Sequence, residues 1–510
     1  MSSLIFLLLT VAGKILAVGK DIVLASLFGV SQQTDAFFIA NQIPAILWVA
    51  FYTTIGSVFM PMYVRDLNEP LRAQRLAVET IRYYVYVALA LSALGLIFAY
   101  ELVSSVAPQA SLETRLLAAH LCRVLSAGFV LTGYVGIQSA IQQANRQFTT
   151  PLLVPVINNL LAMIAVVIAW YANNIMIAAL GAVAAYLVQA VIQRWQTWRF
   201  YPPSWGWSVS RNTWYRLSLL STPMILAVAL DQFNTFIGVV FASQFGNGAI
   251  SHLNYASRLA VFIAGLFSWL VSYLFFPAIA AHAAADDDTG NAAVITRALA
   301  IILVTTTPVA AAALALRQQI IEFIYGRGSF TAEDVQISAT MFGFFGLGII
   351  FTCLRDPLNR IFFSYQRTVA PLAIGITAAV MNISSTYLLI PRLGISAIPI
   401  GASIAALVFC AAQLMVIARW KPALLTRRLG IYFSASIGAG VAAYFATQES
   451  LRMFTGLPLI ASLAFNGAVT LAVYAVGMLV LLRCMGLSYH GMTDELRGVV
   501  RVDSRLAKQQ

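Results

Sequence analysis

The sequence predicts an all-α polytopic membrane protein of about fourteen transmembrane helices. It is expected to form two six-helix lobes related by a pseudo-twofold axis along the membrane normal, with two further helices at the C-terminus. Three observations lead there. The 510 residues are 60% hydrophobic and only 10% charged, with a mean hydropathy of +0.83, a balance outside the range of soluble folds. The apolar stretches are long and continuous and do not alternate, which excludes a β-barrel. And the sequence repeats itself after some 216–221 residues, a distance of six helices.

With about 20 apolar residues as the length of one span, the helices fall near 3–28, 33–62, 82–106, 117–142, 150–171, 175–197, 215–243, 250–281, 293–315, 335–364, 368–390, 395–418, 430–447 and 457–483. The N-terminus enters the first of these with no basic leader and no small-residue cleavage site, and reads as a retained span. Most of the 31 lysines and arginines fall in the 2–3, 4–5, 6–7, 8–9, 10–11 and 12–13 connections and in the tail. That bias places both termini in the cytoplasm. The net charge of +12 therefore reflects topology, and no aromatic-basic pattern of a nucleic-acid binder accompanies it. The expected organisation is an N-lobe over 1–200 (helices 1–6), a C-lobe over 211–420 (helices 7–12), helices 13 and 14 over 430–484, and a basic cytoplasmic tail over 485–510. The four cysteines lie in or beside apolar segments without metal or disulfide spacing and read as small buried hydrophobes.

The repeat is visible in short matches that keep register. Ala25-Ser26-Leu27-Phe28-Gly29 returns as Ala242-Ser243-Gln244-Phe245-Gly246. Pro61 returns as Pro277, and Asn145-Arg146 with Pro151 returns as Gln366-Arg367 with Pro371. An even number of helices per repeat gives both lobes the same orientation, and their midplane interface is where a transported substrate is expected.

Against this apolar background, Lys14, Lys20, Asp21 and Asp35 stand in the first two helices and Arg258 and Arg355 stand in helices 8 and 10. A charge at mid-bilayer costs roughly 2.5–3.5 kcal/mol on insertion scales, so such side chains face protein or a watery cavity. The bland reading pairs Lys14 with Asp21, seven residues apart on one helical face. The functional reading is a basic chamber that holds an anionic substrate. Arg355-Asp356, adjacent in sequence, is read as structural.

Several of these residues sit in longer motifs. Lys20-Asp21, Leu27-Phe28-Gly29 and Thr34-Asp35-Ala36-Phe37-Phe38 together resemble the first signature of the MviN/MurJ-type lipid-linked-saccharide flippases. Tyr255-Ala256-Ser257-Arg258-Leu259, Tyr325-Gly326-Arg327-Gly328-Ser329-Phe330-Thr331 and Arg360-Ile361-Phe362-Phe363-Ser364 are similar to later motifs of the same family. The resemblance implies the multidrug/oligosaccharidyl-lipid/polysaccharide exporter fold in a bacterial cytoplasmic (inner) membrane. It also implies transfer of an undecaprenyl-diphosphate-linked saccharide from the cytoplasmic to the outer leaflet by alternating access. Carried over by position, Lys14, Lys20 and Arg258 stand where the family has cavity arginines, with Asp21 and Asp35 as acidic partners. Cations from facing lobes suit a diphosphate, although lysine lacks the arginine fork. In helix 2 this chain reads Ile43-Pro44-Ala45-Ile46-Leu47-Trp48-Val49, without the arginine pair of the peptidoglycan-precursor flippases. The cargo is thus either lipid II-like or an exopolysaccharide or O-unit precursor, with Trp48 a candidate sugar-stacking residue. Asp231 and Asn382 match two positions of a family sodium site, whereas Thr386 and Ala402 replace an acid and a threonine there. No cofactor is expected, and coupling is to Na+ or H+ if to any ion.

Two other classes of function compete. A multidrug/cation antiporter on the same fold would centre on acidic groups, and here the first-lobe charges lean basic. A non-transporting scaffold, working with glycan-assembly proteins, leaves the intramembrane charges without a role. An enzyme is not expected, because no nucleophile–base or metal constellation stands out.

Overall fold

The computed structural model describes residues 3–198, 200–201, 208–367 and 369–485. The basic tail from 486 onward lies outside the described residues, as do the side chains of Trp48 and Asp231. Among the described residues there is no strand. Nine helical stretches among them are long and apolar enough to cross a bilayer, one of which, 369–420, contains two successive helices.

In chain order the helices are α1 (Ser3–Phe28), α2 (Gln32–Thr54), α3 (Met60–Asp66), α4 (Pro70–Ile97), α5 (Ala99–Val106), α6 (Leu112–Ala144), α7 (Thr149–Tyr171), α8 (Met176–Thr197) and α9 (Arg211–Ala242). They continue with α10 (Ala249–Ala284), α11 (Asp288–Ala315), α12 (Arg317–Tyr325), α13 (Ala332–Ser364), α14 (Val369–Leu393), α15 (Ala397–Trp420), α16 (Arg427–Met453) and α17 (Leu459–Cys484). A π-helical turn over Ile55–Phe59 joins α2 to α3 and supplies Ile55 and Phe59 to a buried cluster with Tyr63, Tyr84 and Phe129. The sequence reading of 82–106 as one helix is refined, because the chain turns at Phe98, whose φ of −99° and ψ of 22° end α4. Leu316 does the same between α11 and α12, with φ −101° and ψ 17°, so that 317–325, read as a connection, is helical.

The chain divides into two compact units. The first holds Met1–Asn254 with Arg327–Thr331, and the second holds Tyr255–Gly326 with Ala332–Gln510. In the first, α6 packs on α2, α4 and α8, and α7 packs on α1 and α8. In the second, α13 packs on α11 and α15, α14 packs on α15, and α16 lies between α11 and α17.

The internal repeat is present in backbone detail at an offset of 220 residues. Both α6 and α13 end in a left-handed residue, Arg146 with φ 60° and Gln366 with φ 58°. The same closing bonds follow, Gln147 N donating to Gln142 O at 2.8 Å and Arg367 N to Phe362 O at 2.9 Å. Helix crossings repeat as well. Gly128 of α6 abuts Val183 of α8, and Gly348 of α13 abuts Ser403 of α15. Gln193 donates to Ser139 at 2.8 Å, and Gln413 donates to Asn359 at 2.6 Å. Since lipid offers no hydrophobic drive between helices, small residues and interhelical hydrogen bonds set such contacts.

The tightest crossings need glycine for space. A Cβ on Gly181 would lie 2.0 Å from the Ala165 Cβ of α7, and one on Gly401 would lie 2.0 Å from the Thr386 Oγ1 of α14. Beyond the end of α15, Lys421 bonds Asp288 at 2.6 Å while its ammonium lies over the Tyr365 ring at 4.5 Å, which ties the start of α11 to the ends of α13 and α15. The Asp288 carboxylate holds the Lys421 ammonium above its usual range.

Replacing Gly181 by valine is expected to cost about 1–3 kcal/mol, the usual range for overpacking. The loss is to be read as a lowered melting temperature of the purified protein; an unchanged melt would show that α7 and α8 separate freely.

Candidate functional site

The residues singled out in the first two helices do not share one fate. Lys20 and Asp21 pair with each other, Nζ to Oδ1 at 3.5 Å. The Asp21 side chain is 8% exposed and the Lys20 side chain 26%. Neighbouring positions on a helix diverge by about 100°, so this pair closes only because the long lysine stem bends back to its neighbour. Lys14 is part-buried two turns earlier, and among the described residues no carboxylate lies within ion-pair distance of it. The Lys14–Asp21 staple offered by spacing is therefore not the pairing that forms. Asp21 goes to Lys20, and no carboxylate stands beside Lys14 among the described residues.

Asp35 is placed differently from the acidic cavity partner that the family resemblance implies. It is 2% exposed, in the first turn of α2. Its Oδ2 accepts from Gly248 N at 2.5 Å, and its Oδ1 accepts from Ser251 N at 2.7 Å and Ser251 Oγ at 2.6 Å. Those two amides belong to the opening of α10, where a helix leaves N–H groups without intrahelical partners and carries positive partial charge. Asp35 thus acts as an N-cap supplied from another helix. Ser251 Oγ, whose one proton goes to Asp35, also lies 2.8 Å from Thr34 Oγ1, and the backbone N–H groups of Ser31 and Thr34 donate to each other's hydroxyl across the start of α2.

A second backbone contact lies at the same end of α1. Ser329 N donates to Ser26 O at 2.8 Å and Ser329 Oγ donates to Leu27 O at 3.1 Å. The approach is close enough that a Cβ on Gly328 would lie 2.1 Å from Ser26 O, and one on Gly29 would lie 2.4 Å from Ser329 O. Both glycines have positive φ, +63° and +60°, so glycine is required there twice over. Residues 327–331 accordingly cluster with the first unit, while the chain on either side of them belongs to the second. Sequence reasoning named Asp35 and the 325–331 motif separately and missed Ser251 and Gly248 as partners. The signal available was the helix-start pattern at 246–251, a glycine pair ahead of a serine.

Arg258 is part-buried on α10, just over two turns beyond the capped end. It belongs to the second unit, whereas Lys14 and Lys20 belong to the first. Arg355 lies over the Phe409 ring at 5.1 Å, within the second unit, consistent with a packing role. Of the candidate cation site, Asp231 stands on α9 with its side chain outside the described residues. Asn382 is 7% exposed on α14, and its Oδ1 accepts from Thr386 Oγ1 at 3.4 Å, with Gly401 of α15 against both. Among the described residues no group of three or more His, Cys, Asp or Glu side chains could hold a metal ion.

Comparison with known proteins bears on this arrangement. The sequence model of the family described as "Lipid II flippase MurJ" matches residues 24–482. A relative from Thermotoga maritima described as "Probable lipid II flippase MurJ" is 27% identical over 425 residues, 82% of this chain and 85% of the relative. Among solved structures, "Lipid II flippase MurJ, inward closed conformation" superposes with a TM-score of 0.83 at 21% identity, covering 95% of this chain and all of that one. An inward-facing multidrug resistance MATE family transporter of the MOP superfamily superposes less closely, with a TM-score of 0.66 at 16% identity over 83% of this chain and 99% of that one. At such identities the superpositions speak for the fold.

Asp35→Ala strands the Gly248 and Ser251 amides in a buried place, a loss of about 1–3 kcal/mol for the groups left unsatisfied. Asp35→Asn keeps an acceptor oxygen and is expected to recover part of that. Thermal melts of the two variants check the order, and equal melts for wild type and Asp35→Ala would remove Asp35 as the cap.

Proposed function

We propose that this chain, which belongs to the lipid II flippase MurJ family over residues 24–482, moves a polyprenyl-diphosphate-linked saccharide across the bilayer. The family match over nearly the whole length is the observation that carries the reading. Transport is from the cytoplasmic to the outer leaflet of the bacterial cytoplasmic membrane, with both termini on the cytoplasmic side as the distribution of basic residues suggests. The protein is a transporter and makes or breaks no covalent bond in its cargo.

Charge supports this chemistry. Lys14 is held at membrane depth without a carboxylate partner among the described residues, and Lys20 shares Asp21. A diphosphate needs such cations in a low dielectric, where neutralisation is worth far more than in water. Lys14, Lys20 and Arg258 are the residues proposed to meet it. The arginine is the one with a fork able to take two phosphate oxygens at once. Its counterpart at the repeat offset lies in the uncharged segment around Ala40-Asn41, so the charge is not a feature common to both lobes.

The nature of the saccharide is a finer matter. The absence of an arginine pair after Ile43-Pro44 favours an exopolysaccharide or O-unit precursor over lipid II itself. Coupling to Na+ or H+ is proposed through Asp231 with Asn382, whose partner Thr386 supplies a hydroxyl where a carboxylate would bind a cation more tightly.

Two experiments test the proposal. A cell depleted of its own lipid II flippase is not expected to grow on this chain at ordinary expression despite good membrane insertion; clean rescue would make lipid II the cargo. In a vesicle or cell-based flipping assay, Arg258→Ala is expected to abolish translocation at normal membrane level, with Arg258→Lys keeping part of it. Normal transport by Arg258→Ala would remove this arginine as a cargo ligand, and loss of the protein from the membrane would make it structural.

A further inference from the structure

Within the first unit, α6 and α8 run side by side, and their contact carries a ladder of amide and hydroxyl side chains. Gln138 of α6 uses both ends of its amide. Its Nε2 donates to Tyr201 Oη, and its Oε1 accepts from Thr197 Oγ1 at 2.7 Å. One level further, Gln193 Nε2 donates to Ser139 Oγ at 2.8 Å. Above and below these paired rungs stand Gln189 on α8, 1% exposed, and Gln142 on α6, fully buried. Among the described residues neither the nitrogen nor the oxygen of either amide has a hydrogen-bond partner, and the Oε1 of Gln193 has none.

The second unit shows the same crossing with more apolar contents, although the Oε1 of Gln413 is left over there just as that of Gln193 is. The helix contacts at an offset of 220 are conserved in kind, Gly128 on Val183 against Gly348 on Ser403, and Ser139 with Gln193 against Asn359 with Gln413. Yet Gln138 is answered by Leu358, Gln142 by Phe362, Gln189 by Phe409 and Thr197 by Ile417, and all four of these are buried. The helix spacing therefore accepts large apolar side chains. Glutamines in the first unit are not imposed by the backbone.

We infer that the α6–α8 seam of the first unit holds a file of ordered water molecules, bound by Gln142, Gln189 and the free oxygen of Gln193, whereas the α13–α15 seam of the second unit, where Phe362 and Phe409 leave only the Gln413 oxygen among the corresponding positions, holds no such file. Both donors and acceptors are left over, the pattern that water satisfies and a bare cation does not. Buried amides without partners are rare in native proteins, and ordered water is their usual complement. The file runs about 12 Å, from the level of Gln189 to that of Thr197, at 1.5 Å of rise per residue. It is closed at its inner end by Gly128 against Val183, where a Cβ would lie 2.7 Å from Val183 Cγ2. Toward the other end it reaches the last turns of α6 and α8, where water enters. Hydrogen bonds along this seam can then be exchanged with water when α6 and α8 shift, instead of being broken.

The test uses a matched pair of thiols in one full-length protein. Cys410, 3% exposed on α15, corresponds at the repeat offset to Ala190, 6% exposed beside Gln189. Purified Ala190→Cys protein in lipid nanodiscs is exposed to X-ray pulses, and radiolytic oxidation, which marks side chains next to bound water, is followed by mass spectrometry. The introduced thiol is expected to oxidise several-fold faster than Cys410, and to fall to its rate when Gln142→Phe and Gln189→Phe are added. An introduced thiol as protected as Cys410 would overturn the inference, as would a fast rate that survives both phenylalanines. If the triple variant does not fold, the comparison within the single variant decides alone.

Discussion

Every polar group that this chain carries into the bilayer has to find its complement inside the protein, because the hydrocarbon offers none. That constraint explains why a single carboxylate matters so much at the start of α2. Asp35 takes up two amides that the first turn of α10 cannot satisfy, and a hydroxyl besides. The alternative for those amides is a desolvated end of a long helix. The same necessity shapes the neighbouring contact, where Ser329 bonds the last carbonyls of α1 through a gap that only Gly29 and Gly328 leave open. Two different devices, a carboxylate cap and a glycine-lined backbone clasp, thus solve one problem at helix ends.

Much of the fold was legible because bilayer thickness imposes a length and hydropathy reports it. The repeat was legible too, through matches such as Pro151 with Pro371, since equal helices end in equal turns. What composition hid were interruptions that change no hydropathy. Phe98 and Leu316 bend the chain while remaining apolar, so 82–106 read as unbroken and 317–325 read as a connection. Partners across hundreds of residues were equally hidden. Asp35 stood out by its charge, but Ser251 lies 216 positions away, and nothing local announces which amides a carboxylate will reach.

Electrostatic candidates were harder to place for a related reason. Spacing on a helix states which residues share a face, and by that rule Lys14 and Asp21 were partners. The flexible stem of Lys20 overrode it by folding back on the adjacent aspartate. A rule about Cβ positions does not bind a side chain with four rotatable carbons. The outcome bears on function, since Asp21 is taken by Lys20 and no carboxylate stands beside Lys14 among the described residues.

The two repeats share helix lengths, caps and crossings, and differ in what fills them. Close glycine contacts such as Gly128 on the Val183 side chain recur at 348 and 403, while glutamines in one unit become leucine and phenylalanine in the other. Arg258 likewise has no charged counterpart around Ala40-Asn41. Geometry that persists under such different contents is carried by the glycines and the helix ends, which leaves the interior of each unit free to specialise. A transporter that changes access has use for that freedom. Cargo shifts a conformational equilibrium only through contacts that differ between its states. Units with different interiors can differ in such contacts, whereas identical ones would respond alike.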